Sequence, residues 1–349
     1  MLFLKAQQLN KFLKLRNKNI LLLTSNYHLN KKYFSSIQSL LKKKNKLDIY
    51  SEINPGAQIK DLNFILKNFN KPDYIIGLGG GSVMDISKAC SCLFEKKIKT
   101  NYINLKFSKK IFTLLIPTIL GTGAESSVGS ILQKKNKTKF AIRHKLIKAN
   151  KVIVDCDIVK LASTKHMSEA LYDCLSHAIE TFLSKFSNKI VQNRSLKVIR
   201  EILAFKNKNI FKKVIELKKI ARFSYLMGLN LAASTTCLPH RIQYSMSKYT
   251  NSSHAQCIIA LHKGWLKVLN DKKNEEYFSL SKKLYQNENQ LTKNIIRFKK
   301  IFNIDFNLKI LKVKKKNFTH IIKSVSGNLF ADPIYNSKKE IKTILSYSL

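Results

Sequence analysis

The feature that most constrains this chain is a change of hydrophobic period near residue 160. Before it, short apolar runs alternate with amphipathic stretches. "NILLLTSN" (19–26) precedes "YFSSIQSLLKKKN", "LDIYSEI" precedes "AQIKDLNFILKNF", and "KPDYIIGLGGGSVMDISKACSCLF" reads as strand, glycine turn and helix. "IFTLLIPTILGTGAESS" is a buried strand running into a second glycine-bearing turn, and "KVIVDCDIV" is a further strand. Strands that alternate with helices imply a parallel sheet covered on both faces. Beyond 160 the strand signals stop. "SEALYDCLSHAIETFLSKF", "RSLKVIREILAF", "IARFSYLMGLNLAAS" and "QCIIALHKGWLKVL" carry helical periodicity alone. The expected architecture is an α/β domain over 1–160 and an all-helical domain over 161–349, with no Pro-, Gly- or Ser-rich linker between them.

A net charge of +43 raises nucleic acid or an acidic membrane as partners. Only seven of the 64 basic residues are Arg, and the lysines are scattered among many Asn and Ile. That reads as a compositional bias written onto a solvated surface. A nucleic-acid face would cluster Arg with aromatics, and no such cluster is visible, so no specific nucleic acid is expected. No apolar run is long enough to span a bilayer, so no membrane partner is expected either. The first residues, "MLFLKAQQLNKFLKLRNKN", carry lysines among their apolar positions and no small-residue cleavage site, which is unlike a signal peptide. Six dispersed cysteines without a CxxC pair read as reduced, mostly buried thiols in the cytoplasm. The surplus of positive charge still suits an anionic cofactor or substrate.

"GLGGGSVMD" lies between a strand and a helix, where free backbone N–H groups and the helix dipole favour an anion. Gly79, Gly80 and Gly81 let the backbone approach a pyrophosphate, and Ser82 adds a hydroxyl donor. The spacing is not GxGxxG, and a triple glycine alone also makes a plain tight turn. "PTILGTGAESS" brings Thr118 and Thr122 from the end of another strand. The carboxyl ends of parallel strands share one edge, so both turns can face one ligand.

"YDCLSHAIE" sets Asp173 and His177 four apart, one helical turn, where they can hold a divalent cation or form an ordinary surface pair. His240 and His254 are fourteen apart, which in one unbroken helix would separate them by about 21 Å. "KYTNSSHA" interrupts that helix with turn and capping residues, however. A helix from about 239, a turn at 250–253 and a new helix opening at His254 would let Asp173, His177, His240 and His254 share one ion. Fe²⁺ and Zn²⁺ both tolerate one carboxylate with three imidazoles. His28, His144, His166 and His320 sit in polar, Lys-rich settings and are expected to be solvated, and His262 follows His254 by eight. Cys174 and Cys237 adjoin candidate ligands but point about 100° away on a helix, which makes them packing residues.

These pieces, in this order, resemble the iron-containing (group III) alcohol dehydrogenase family over most of the chain. "NPGAQIKDL" is similar to the family's "NPT" stretch, and "PDYIIGLGGGSVMDISKA" to its triple-glycine signature with trailing Asp and Lys. "IPTILGTGAESS" is similar to "PTTAGTGSE", "EALYDCLSHAIETFLS" to the DAL-x-HA-x-E motif, and "GNLFADPIYNSKKEIKTIL" to the C-terminal N-x-DP segment. The resemblance implies a nucleotide-binding α/β domain plus an all-α metal-binding domain, the dehydroquinate synthase-like architecture. It implies Fe²⁺ (or Zn²⁺) on Asp173, His177, His240 and His254. It also implies NAD(H) or NADP(H) on Gly79, Gly80, Gly81 and Ser82, with Asp85 close by, Thr118 and Thr122 along the cofactor, and Lys139 in contact with it. The implied reaction passes hydride between nicotinamide C4 and an alcohol/aldehyde pair, in a homo-oligomer of two or more chains.

Departures from the pattern bear on that expectation. The family's further histidine, one turn after the first histidine of this stretch, is Tyr244 here, a proton donor whose usual pKa near 10 makes it a poor base. Ser25 stands where NAD-preferring members often carry Asp, so nothing repels a 2′-phosphate. Glycerol-1-phosphate dehydrogenase-like and dehydroquinate synthase-like enzymes share the architecture and stand as the alternative. A basic nucleic-acid binder or a relic without chemistry is the second.

Overall fold

The computed structural model describes residues 1–9, 15–94, 105 and 107–349, so part of the N-terminal stretch read above, 10–14, lies outside the described residues. Contacts divide the chain into two units, 1–163 with 212–228, and 164–211 with 229–349. The change of period near 160 predicts a helical domain for everything after it. The segment 212–228 instead belongs with the sheet-bearing unit.

The first unit is built on a six-stranded parallel sheet. Its strands are β1 (Leu2–Phe3), β2 (Asn19–Leu23), β3 (Lys46–Tyr50), β4 (Tyr74–Gly79), β5 (Phe112–Pro117) and, after a hairpin, β8 (Lys151–Val154). The order across the sheet is β1-β8-β5-β4-β2-β3. β2, β4 and β5 are near-continuous apolar runs because both faces of the sheet are covered. Leu21, Leu23 and Ile75 pack on one face with Leu62 and Ile65 of the helix Ile59–Asn68 and Val83, Ile86 and Ala89 of the helix Gly81–Leu93. Ile20, Leu22, Ile76 and Leu78 face the other way, against Phe34, Ile37 and Leu41 of the helix Lys32–Lys42. The chain runs from β2 to β3 on one side and then crosses to β4 on the other, which puts the topological switch point between β2 and β4. An antiparallel hairpin, β6 (Gly129–Gln133) with β7 (Lys139–Arg143), follows β5 and was not anticipated from the sequence.

The second unit is helical among the described residues. The helix His254–Asp271 packs against Thr164–Leu183, Leu238–Met246 and Lys338–Tyr347. Its buried mass comes from large side chains, with Trp265, Tyr172 and Phe298 all nearly inaccessible. No helix among the described residues is long and apolar enough to cross a membrane.

Candidate metal centre and glycine edge

One helix, Thr164–Leu183, organises the centre. Glu169, Asp173, His177 and Glu180 follow at spacings of four, four and three, so they form one stripe along it. Asp173 and His177 lie in the middle of that stripe, and both are buried. The backbone carries Leu238–Met246 as a helix, a short 3₁₀ turn at Ser247–Tyr249, and a restart at His254, with Ser253 accepting from Gln256 N–H in a capping box. His240 and His254 therefore stand on separate helices and converge on the stripe.

The convergence is on one atom. Asp173 Oδ1 lies 3.5 Å from His240 Nε2, 3.6 Å from His254 Nε2 and 3.9 Å from His177 Nε2. The His177 and His240 rings stack at 4.7 Å between centroids, and those of His240 and His254 stand 5.2 Å apart. One ligand atom each from Asp173, His240 and His254 fall within 4.8 Å of one another. Asp173 Oδ1 and His240 Nε2 are buried and have no hydrogen-bond partner among the described residues. Buried polar atoms are normally satisfied, so lone pairs aimed inward at one another mark a place where a cation fits.

The electrostatics agree with that fit. Burial alone would push the Asp173 carboxyl up, yet His177, His254 and His240 hold it well below the usual carboxylate range. Glu180 is treated likewise by His240 and His262. Burial keeps His177 and His262 from protonating, so their rings stay neutral. His240 is the exception. Burial opposes its charge, but Glu180 and Asp173 raise it to about 9.

The helices that bring in the histidines are anchored by carboxylates. Glu169 accepts from Gln256 Nε2 at 2.9 Å and from Ser253 Oγ at 3.3 Å, at the start of the helix that opens with His254. Glu180 Oε2 accepts from Cys237 N–H at 2.7 Å, and Asp332 Oδ2 from Leu238 N–H at 2.8 Å and Trp265 Nε1–H at 2.9 Å. Cys237 caps the His240 helix without a side-chain hydrogen bond, so these carboxylates satisfy N–H groups that a helix start leaves open. Cys174 and Cys237 are buried in packing, as expected, and all six cysteines are free and buried. Tyr244 is half-buried, with the Arg241 guanidinium 5.9 Å from its ring centroid.

In the first unit Gly79, Gly80, Gly81, Ser82, Thr118 and Thr122 lie at the carboxyl ends of β4 and β5. Gly79 ends β4 beside Pro117 of β5, Thr118 N–H donates to Gly79 O at 3.1 Å, and Gly80 caps the helix opening at Gly81. A Cβ on Gly79 would strike Val83 at 2.5 Å, so this glycine is demanded by packing. At Gly80 and Gly81 a Cβ would meet nothing nearer than 3.7 Å, which leaves the face of the turn open. Thr122 lies next to Gly81, and Ser82 Oγ accepts from Gly56 N–H at 2.9 Å, joining the "NPGA" turn to the same edge. Ser25 follows β2 and bridges to Glu52, on the other side of the switch point. Asp85 is buried and pairs with Lys88 at 3.0 Å, and Lys139 begins β7.

A family model described as iron-containing alcohol dehydrogenase matches residues 4–156, and one described as the C-terminal part of the Fe-containing alcohol dehydrogenase family matches 169–349. The chain belongs to the iron-containing alcohol dehydrogenase family. Among curated relatives, aldehyde-alcohol dehydrogenase 2 of Entamoeba histolytica is 22% identical over 251 residues, which is 66% of this chain and 29% of that protein. The chain thus spans under a third of the length of that relative. An archaeal halo-thermophilic alcohol dehydrogenase from a Red Sea brine pool superposes with a TM-score of 0.87 at 18% identity, covering 99% of this chain and 96% of its own. Sulfoacetaldehyde reductase from Bifidobacterium kashiwanohense, solved with NAD⁺, gives 0.84 at 17% identity, with 99% and 95% covered. At these identities the superpositions speak for the fold.

Within this iron-containing alcohol dehydrogenase fold, sequence reasoning missed Glu169, Glu180 and Asp332, while His262 was noted only for its spacing from His254. The spacing of Glu169, Asp173, His177 and Glu180 was a readable signal, whereas Asp332 acts from a segment remote in sequence. Two histidines expected to be solvated, His28 and His144, are not. His28 is buried at 5% exposure, because its ring sits by Tyr27 and Tyr33 and its Nδ1 lies 2.5 Å from the Tyr33 hydroxyl. The surrounding lysines extend into solvent without taking it with them. His144 is half-buried and caps a 3₁₀ turn, while His166 and His320 are exposed.

Proposed function

We propose that this chain is a metal-dependent, NAD(P)-linked alcohol dehydrogenase or aldehyde reductase. The observation that carries the reading is the convergence of three imidazole Nε2 atoms on Asp173 Oδ1 within 3.9 Å. Asp173, His177, His240 and His254 would hold Fe²⁺ or Zn²⁺. When bound, the cation supplies Lewis acidity toward a carbonyl or alcohol oxygen. The chain's own residues do the rest. Asp173 and Glu180 hold negative charge in a buried setting, which favours a cation over an empty cluster. The open turn at Gly80 and Gly81, with Ser82, Thr118 and Thr122 near it, binds the cofactor diphosphate at a helix start, and Asp85, Lys139 and Ser25 complete that edge. Tyr244 is the proposed proton donor toward the substrate oxygen.

The absence of a carboxylate at Ser25 supports use of NADP(H) as well as NAD(H). NAD⁺ in the Bifidobacterium sulfoacetaldehyde reductase supports a nicotinamide nucleotide on this fold. The high positive charge supports an anionic or polyhydroxylated small-molecule substrate, in place of nucleic acid or membrane. Six free, buried cysteines suit a reducing cytoplasm, and a homo-oligomer is the proposed assembly. The test is metal analysis of protein purified without air, followed by an aldehyde panel read through oxidation of NADH and NADPH. Turnover that depends on added Fe²⁺ or Zn²⁺ is expected. A metal-loaded protein that binds nucleotide and oxidises neither would sink the proposal.

A further inference from the structure

Next to the proposed metal centre, on which this inference rests, Glu180 is fully buried and lies outside the proposed ligand set. His240 Nδ1 stands 2.7 Å from its Oε1, His262 Nε2 stands 3.4 Å from the same oxygen, and Cys237 N–H donates to Oε2. Behind His262, the Tyr172 hydroxyl lies 3.4 Å from Nδ1. All four side chains belong to the second unit and are almost inaccessible to water. A carboxylate can only accept, so the proton between His240 Nδ1 and Glu180 Oε1 belongs to the imidazole. His262 lies between Glu180 and Tyr172, its Nε2 toward the carboxylate and its Nδ1 toward the Tyr172 hydroxyl, and its bulk packs against the carboxylate. The remaining nitrogen of His240, Nε2, is then the one left to face Asp173 Oδ1 and, when bound, the cation.

We propose that Glu180, held by Cys237 N–H and packed against His262, is the positioning residue that fixes the His240 tautomer and makes this cluster a cation site. It acts on both the ring and the backbone of the helix carrying that ring, since Cys237 caps the helix. A glutamine at 180 presents N–H as well as carbonyl to His240 Nδ1, so the ring can turn a protonated Nε2 toward the centre. That proton stands where the cation would sit.

The test is Co²⁺ affinity, measured by chelator competition on the full-length chain stripped of metal. Glu180→Gln is expected to bind cobalt 10–100-fold more weakly than the parent with an unchanged urea midpoint. A rigid packing role for Glu180 would leave the folded protein's cobalt affinity alone. Parental affinity in Glu180→Gln overturns the inference and leaves the metal reading standing. A parent chain that binds no cobalt overturns both. Should Glu180→Gln fail to fold, ¹⁵N-histidine spectra of the Zn²⁺-loaded parent decide. A proton on His240 Nδ1 supports the assignment, and a proton on Nε2 overturns it.

Discussion

Nε2 of His254 lies 3.6 Å from Oδ1 of Asp173, although the two residues belong to different helices. Removing the imidazole leaves the centre one donor short and the Asp173 carboxylate less compensated. His254→Ala is expected to lose metal retention and turnover while nucleotide affinity stays within about twofold, since the glycine edge lies in the other unit. Metal content after dialysis, set beside a nucleotide titration, checks this. Loss of nucleotide binding with full metal content contradicts the assignment.

Gly228 sits in a helix, where alanine ordinarily gains about 1 kcal/mol. Here a Cβ would approach Gly123 O at 2.2 Å and Ser126 Oγ at 2.0 Å, and Gly123 itself holds φ +66°. Gly228→Ala is therefore expected to destabilise by about 1–3 kcal/mol, against the helix propensity. Because Gly123 closes the turn that contains Thr122, nucleotide affinity should fall as well. Urea denaturation and the same titration read both effects.

Lys88 is fully buried, with Nζ 3.0 Å from Asp85 Oδ1 and from Ser127 Oγ and donating also to Gly129 O. It ties the helix after the glycine turn to the start of the β6–β7 hairpin. Lys88→Met strands a buried carboxylate, at about 3–5 kcal/mol. The double substitution Lys88→Met with Asp85→Asn should recover much of that loss. Denaturation midpoints of the single and double variants test the pairing, and equal midpoints for the two would refute it.

His28 gives the first unit a pH dependence. In the unfolded chain its imidazole titrates near 6.5; in the fold, burial first and Lys31 second lower it to about 4. As pH falls the unfolded chain takes up the proton earlier, so this stabilisation is whole above about 6.5 and is lost progressively down to about 4. The shift corresponds to up to ~3 kcal/mol. His28→Gln keeps a hydrogen-bonding partner for the Tyr33 hydroxyl and should flatten that part of the pH profile. An unaltered slope in urea midpoints across the window would assign it to other groups.

Much of this molecule was legible before any coordinates. β2, β4 and β5 show themselves as apolar runs because parallel strands are buried on both faces, and the break at "KYTNSSHA" announced the restart at His254. What stayed hidden depended on partners distant in sequence. The β6–β7 hairpin turns through lysines in place of the Asn-Gly or Asp-Gly signal, so its alternation passed unread. Residues 212–228 have the same helical periodicity whichever unit they pack with, and only contacts assign them. His28 looked solvated because its sequence neighbours are lysines, whereas its spatial neighbours are tyrosines.

The N–H groups of Cys237 and Leu238 are already claimed by Glu180 and Asp332, so the imidazole of residue 240 is seated before any ion arrives. A cradle stiffened in advance spends little of its affinity on rearrangement. Its four donors suit more than one first-row metal. Which of them the proposed centre takes would then depend on supply as well as on the shape of the cradle.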